Sequence, residues 1–210
     1  MRALVIANGE PPSTDLLRDL AARASLVLAA DGGARHALAA GIVPAAVVGD
    51  LDSVTPADRA AIPPDRFHRV HNPDTTDLHK AIEFALARGA ERVDIAAAGG
   101  GRADHALANL SVLREFRGAA ELHVADDRFD IRLVEGTVAI DGPPGTVISL
   151  IAIGRCEGVT TVNLRWDLAN HTLDFSPYGV HNEVARQPAA ISVTSGDLLL
   201  FTGRWVEPHV

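Results

Sequence analysis

The chain has 210 residues, 47% of them hydrophobic and 22% charged, with a formal net charge of -8. This is the composition of an ordinary folded protein of one large or two modest domains, and its acidic balance argues against a nucleic-acid-binding face. Cys156 is the only cysteine, which excludes an internal disulfide and fits a reducing cytoplasm; no apolar run is long enough to span a membrane.

In chain order, residues 4–7 read as a first strand, in an apolar run too short for a signal-peptide core. Residues 13–24 form a helix with Leu16, Leu17, Leu20 and Ala21 on one face and Ser13 or Thr14 as cap. A second strand, 26–30, ends on Asp31-Gly32-Gly33 and leads to an alanine-rich helix over 34–40. A third strand, 46–48, runs into Gly49-Asp50-Leu51-Asp52-Ser53, and 67–70 reads as a short fourth. The spacing of Leu78, Ile82, Phe84, Ala85 and Leu86 predicts a helix over 76–88. A strand over 92–97 leads through Gly99-Gly100-Gly101 to a helix over about 103–116, and 122–125 closes this half. Alternating strands and helices mean βα units and a mostly parallel sheet, a Rossmann-like α/β domain over residues 1–126. From about residue 129 the pattern becomes all-β: 131–134, 138–140, 147–153, 159–162, 191–193 and 198–201 are short strands, the last two flanking a hairpin signal at Thr194-Ser195-Gly196-Asp197. Residues 129–210 are therefore expected to form a small β-sandwich or open barrel.

Four segments at strand ends or helix starts carry chemistry. Asp31-Gly32-Gly33 allows backbone to approach a ligand and offers free helix N–H groups to an anion. Asp50 and Asp52, two apart in extended chain, would converge on one side beyond a strand end. Such a pair suits Mg²⁺ with phosphates, although Asp52 or Ser53 could equally cap the next helix, which begins near Thr55-Pro56. In Asp74-Thr75-Thr76-Asp77-Leu78-His79-Lys80, Asp77 and Lys80 share a helix face. Lys80 is the only lysine, whereas arginine supplies every other basic side chain, which singles it out as a compact cation for phosphate. A surface ion pair is the alternative. Gly100-Gly101-Arg102 before Asp104, His105 and Asn109 makes a phosphate site from backbone donors and a helix start. Neither G-x-x-x-x-G-K-[ST] nor an early G-x-G-x-x-G is present. In the β half, Trp166 and Tyr178 lie in polar, turn-rich sequence and suggest a flat face for a cationic heterocycle, with core packing as the alternative.

Together, Asp-Gly-Gly at 31–33, Gly-Asp-x-Asp-Ser at 49–53, Asp-x-Thr-Asp-x-x-Lys at 74–80, Gly-Gly-Arg-x-Asp-His-x-Leu-Ala-Asn at 100–109, Leu-x-Trp-x-Leu at 164–168 and Asn182-Glu183 resemble thiamine pyrophosphokinase, in order and spacing, across nearly the whole chain. The resemblance implies an N-terminal α/β domain, a C-terminal β-sandwich for thiamine binding and dimerisation, and a homodimer with thiamine between the α/β half of one subunit and the β half of the other. It implies the reaction of ATP with thiamine to give AMP and thiamine diphosphate. Asp50, Asp52 and Asp77 would hold Mg²⁺, with Lys80 on the transferring phosphate. Asp31, Gly32, Gly33, Ser53, Gly100, Gly101, Arg102, Asp104, His105 and Asn109 would hold ATP, and Trp166, His181, Asn182 and Glu183 would frame thiamine. The chain departs from the family's usual residues at Leu51, commonly phenylalanine, and at His181, commonly serine. A pyrophosphokinase acting on a hydroxymethyl pterin and a non-catalytic nucleotide-binding protein are the alternatives on the same scaffold.

Overall fold

The computed structural model describes residues 1–207. It divides into two compact units, Met1–Asp127 and the chain from Arg128 onward.

The first unit alternates strands and helices: β1 (Arg2–Ile6), α1 (Thr14–Arg23), β2 (Leu26–Ala30), α2 (Gly33–Ala39), β3 (Ala46–Gly49), α3 (Pro56–Ala61), β4 (Phe67–Arg69), α4 (Asp77–Leu86), β5 (Arg92–Ala96), α5 (Ala103–Glu115) and β6 (Glu121–Ala125). The strand order is β4-β3-β2-β1-β5-β6, and every pairing is parallel. The strand Ala3-Leu4-Val5-Ile6 is wholly inaccessible to solvent. An apolar run with no alternation is what a central parallel strand needs when both faces are covered. The chain builds outward from β1 in one direction and resumes on its other side at β5, so the topological switch lies between β1 and β5. In open α/β sheets that crevice, outside the carboxyl ends of the strands, is where ligands bind.

Side chains fix where the helices start. Ser13 caps α1 by accepting from Leu16 N–H, and Thr76 caps α4 by accepting from His79 N–H at 3.2 Å. Thr55, with Asp58, forms a reciprocal capping box on α3. The capping role considered for Asp52 and Ser53 therefore belongs to Thr55, which leaves the two residues available for other work. Apolar residues three to four apart then turn inward, as with Leu17 and Leu20 on α1 and Leu78, Ala81, Ile82 and Ala85 on α4.

The first residue of α2 sits against the central strand. A Cβ on Gly33 would come within 2.1 Å of the Ile6 carbonyl oxygen. Gly33→Ala is expected to destabilise the protein by about 2–3 kcal/mol, because neither backbone can yield without moving a core element. A shift of the urea midpoint with unchanged slope would show it.

The second unit contains β7 (Phe129–Leu133), β8 (Thr137–Ile140), β9 (Thr146–Val162), β10 (His171–Leu173), β11 (Asn182–Glu183), β12 (Ala189–Ser192) and β13 (Ser195–Val206). All its pairings are antiparallel. Around β9 the strands form a sandwich-like arrangement: β13 joins it to β7 on one side, and β12 joins it to β8 on the other. Between the two lie Ile140, Ile148, Leu150, Val159, Leu173, Ile191 and Leu200, all buried.

Two sequence expectations change here. Residues 147–153 and 159–162 belong to one 17-residue strand. Its early residues pair with β13 and Thr160 to Val162 pair with β12. Gly154, within the irregular end of the β13 pairing, and Gly158, between the two stretches, have φ of 82° and 68°, a left-handed conformation that lets the strand bend without ending. The expected hairpin at 194–197 does not form. Residues 195–197 already belong to β13; β12 and β13 pair with β9 and not with each other, so the turn signal marks a passage from one sheet to the other.

Candidate active site

The carboxyl ends of β1, β2, β3 and β5 surround a cleft of about 740 Å³ in the first unit. Each strand hands over to a loop that turns sharply. Asp31 after β2, Leu51 after β3 and Ala97 after β5 all have positive φ, at 45°, 65° and 57°. Non-glycine residues in that region carry backbone strain of about 1–3 kcal/mol and cluster at functional sites.

Three carboxylates meet in this cleft. Asp31, Asp50 and Asp77 each present an oxygen within 4.8 Å of the other two. Asp31 is buried; its Oδ2 accepts from Ser53 N–H at 3.2 Å, while its buried Oδ1 has no hydrogen-bond partner. Burial pushes the Asp31 carboxyl above the usual carboxylate range; Asp77 adds to this, and the hydrogen bond from Ser53 opposes it. Asp77 is the first residue of α4. Its Oδ1 accepts from Asp50 N–H at 3.2 Å and from the buried Lys80 ammonium, one helical turn on, at 2.8 Å. The sole lysine thus faces the acidic set. A Cβ at Gly49 would lie 3.0 Å from Asp31 Cβ, from Asp77 Cγ and from Asp77 Oδ1, so glycine here lets the side chains of β2 and α4 close over the end of β3.

This donor set fits a hard divalent cation. It offers carboxylate oxygens, as Mg²⁺ prefers, and it includes a buried acceptor oxygen that nothing else satisfies. Asp52 lies outside the trio although it borders the same cleft. The convergence expected from strand alternation does not apply to it, because φ of 65° at Leu51 takes the chain out of the extended conformation. Instead, Asp52 N–H donates to Asp50 Oδ1 at 3.1 Å, and Asp52 Oδ1 accepts from Ser53 Oγ at 3.0 Å.

Across the cleft, Gly100, Gly101, Arg102, His105 and Asn109 contribute to the lining. Asn109 donates to the Ala98 carbonyl at 2.8 Å and ties α5 to the end of β5. Asp104 is exposed and pairs with Arg102 at 2.6 Å, which holds its carboxyl down at about 2. Among the predicted nucleotide residues, Gly32, Gly33 and Asp104 are not in the lining; Gly32 instead lies against Asn8, where an added Cβ would come within 2.5 Å of its side-chain nitrogen.

The predicted acceptor residues gather in the second unit. Asn182 takes Trp166 N–H on its Oδ1 at 3.2 Å and donates Nδ2 to the Trp166 carbonyl at 2.8 Å. This clamp holds the Trp166 backbone while its indole stays 54% exposed. Glu183 is buried and accepts from Arg165, whose guanidinium lies 5.0 Å from the Trp166 ring centroid. His181, at φ 63°, donates its N–H to Ser149 Oγ at 3.0 Å.

Comparison with known proteins follows the same division. Residues 17–124 match the thiamin pyrophosphokinase catalytic domain, and residues 135–198 match the thiamin pyrophosphokinase vitamin B1 binding domain. The chain belongs to the thiamin pyrophosphokinase family. It is 30% identical over 177 residues to thiamine pyrophosphokinase 3 of Oryza sativa subsp. japonica, covering 76% of this chain and 65% of that relative. With thiamine pyrophosphokinase 1 of the same plant it shares 28% over 234 residues, covering 95% and 86%. The fold resembles the crystal structure of thiamine pyrophosphokinase from Bacillus subtilis, with a TM-score of 0.84, 23% identity and coverage of 97% and 99%.

Within this family frame, the cleft also contains residues to which the sequence reading gave no site role. Asn8 and Glu10, read there only as part of a turn, line it, as do Thr75 and Thr76 of the Asp74–Lys80 segment. Asn8 and Glu10 follow β1 directly; the position of β1 at the switch point is the signal that marks them, and it becomes visible only once the strand order is known. Among the described residues, no helix is long and apolar enough to cross a membrane.

Proposed function

We propose that the chain transfers the diphosphate group of ATP to the hydroxyl of thiamine, giving thiamine diphosphate and AMP. The observation that carries this reading is the carboxylate trio with Lys80 at the switch-point cleft, in a chain that matches both family domains. The thiamine hydroxyl oxygen bonds to the β-phosphorus, the bond from that phosphorus to the α-phosphate oxygen breaks, and AMP leaves with that oxygen. The hydroxyl proton passes to a carboxylate, which we assign as Asp77.

Asp31, Asp50 and Asp77 would hold Mg²⁺, with Asp52 bordering the same ligand set. When bound, the cation neutralises phosphate charge and orients the reacting oxygens. Lys80 places a point charge against the transferring group, held in aim by Asp77. Ser53, Gly100, Gly101, Arg102, His105 and Asn109 would position ATP; Asp104 would orient Arg102, and Gly32 and Gly33 would set the loop beyond Asp31. Most of the catalysis then comes from positioning and charge rather than covalent chemistry.

Trp166, His181, Asn182 and Glu183 would bind thiamine, the indole face receiving the cationic ring. Trp166→Ala is expected to raise the KM for thiamine about tenfold and leave the KM for ATP within about twofold, as initial rates would show. The first unit would serve as the catalytic domain and the second for thiamine binding and dimerisation, in a cytoplasmic homodimer.

The reading is tested by AMP formation from Mg-ATP with thiamine or a hydroxymethyl pterin offered separately. AMP with thiamine alone is the expected result. AMP with the pterin alone would overturn the acceptor assignment, and AMP with neither, despite ATP binding, would overturn the enzyme.

A further inference from the structure

Leu51 separates the two aspartates of the β3 loop and has left-handed geometry, φ 65°. That conformation is unfavourable for a side chain with a Cβ, so something must hold it. Its side chain packs into the apolar cluster of Val54, Ile62 and Phe67 beneath α2 and α3. Its carbonyl oxygen accepts a hydrogen bond from Arg59 Nη2 at 3.2 Å. Arg59 reaches it from α3, whose start is pinned by the Thr55–Asp58 capping box. The guanidinium carbon lies 5.2 Å from the Phe67 ring centroid, so the side chain rests on β4 while it reaches the loop. Arg59 is exposed and does not line the cleft. An exposed arginine is usually worth little. This one touches the peptide that leads from Leu51, the residue with left-handed geometry, into Asp52.

We propose that Arg59 is a positioning residue for the cation site: resting on Phe67 and holding the Leu51 carbonyl, it keeps the β3 loop turned so that Asp50 meets Asp31 and Asp77. The proposal rests on the reading of those three carboxylates as the divalent cation site. Two consequences separate it from a merely structural role. Removal of Arg59 should weaken cation binding more than it weakens the fold. The loss should also depend on the strain at Leu51, because glycine adopts positive φ without being held.

The test is Mn²⁺ binding, read by electron paramagnetic resonance on the full chain saturated with α,β-methylene-ATP, alongside thermal unfolding without metal. Arg59→Ala is expected to weaken Mn²⁺ binding about tenfold, with a melting temperature close to wild type. Arg59→Lys keeps the charge without the planar fork and is expected to show the same loss; it serves as the second variant should the alanine protein not fold. In a Leu51→Gly background, Arg59→Ala is expected to cost less than about twofold. An equal cost in both backgrounds, or no loss in either arginine variant, overturns the proposal. If Asp50→Asn leaves Mn²⁺ affinity at the wild-type value, the cation-site reading itself falls and takes the proposal with it.

Discussion

Asp77→Asn is expected to lower kcat for AMP formation by about 10³-fold. The carboxylate has three neighbours to serve: the buried Lys80 ammonium at 2.8 Å, the Asp50 N–H at 3.2 Å, and the oxygens of Asp31 and Asp50. An amide keeps the shape and can still accept a hydrogen bond. It loses the charge that attracts a cation, the partner charge of Lys80 and the capacity to take a proton. Steady-state kinetics with saturating thiamine and ATP would measure this. A loss below about tenfold would exclude Asp77 from the chemical step. Because Lys80 is buried, the variant should also unfold more readily, by about 1–3 kcal/mol for a charged group left imperfectly paired.

Asp31→Asn is expected to act in opposite directions on activity and stability. Activity should fall about 10²-fold or more, as a carboxylate leaves the proposed cation site. Stability without metal should rise by about 1 kcal/mol at neutral pH, roughly 2–4 °C in melting temperature, because the amide removes a buried carboxylate whose Oδ1 has no partner. Burial raises the pKa of Asp31 in the folded state above its ordinary value. A raised carboxyl binds its proton more tightly folded than unfolded, so ionising it destabilises the fold. The advantage of asparagine is therefore full above the raised folded-state value, shrinks as pH falls, and vanishes below the ordinary value of 3.8. Thermal unfolding in a chelator, scanned over pH, would show the gap closing on the acid side. Added Mg²⁺ should narrow it at neutral pH by binding wild type alone.

Much of the architecture could be read before any coordinates. Apolar runs and helix-face spacing located the strand and helix sequence of the first unit, because each element there is a local pattern with glycine or a capping residue at its end. The motifs at Asp31, Asp50, Asp77 and Gly100 were visible for the same reason, and all four segments reach the cleft. What local pattern could not supply was dihedral detail and long-range pairing. That Asp31, and not Asp52, joins Asp50 and Asp77 in the trio was not legible, because Leu51 between the two aspartates takes positive φ and leucine carries no signal of that conformation. The length of β9 was hidden because glycines that bend a strand look like glycines that end one. The 194–197 turn misled because β12 and β13 each find a better partner in β9. Asn8 and Glu10 acquire meaning only from the strand order.

The placement of Lys80 has a practical consequence. As the only lysine, with its side chain just 4% exposed beneath Asp77, it gives the chain a single ε-amine, and the fold shields it. Lysine-directed acylating reagents, and the cellular enzymes that acetylate or ubiquitinate lysine, have no other lysine side chain to modify, and this one is buried. Once the exposed Met1 α-amine is accounted for, a further mass change on exposure to an acylating reagent is thus a one-site report on whether the cleft is intact.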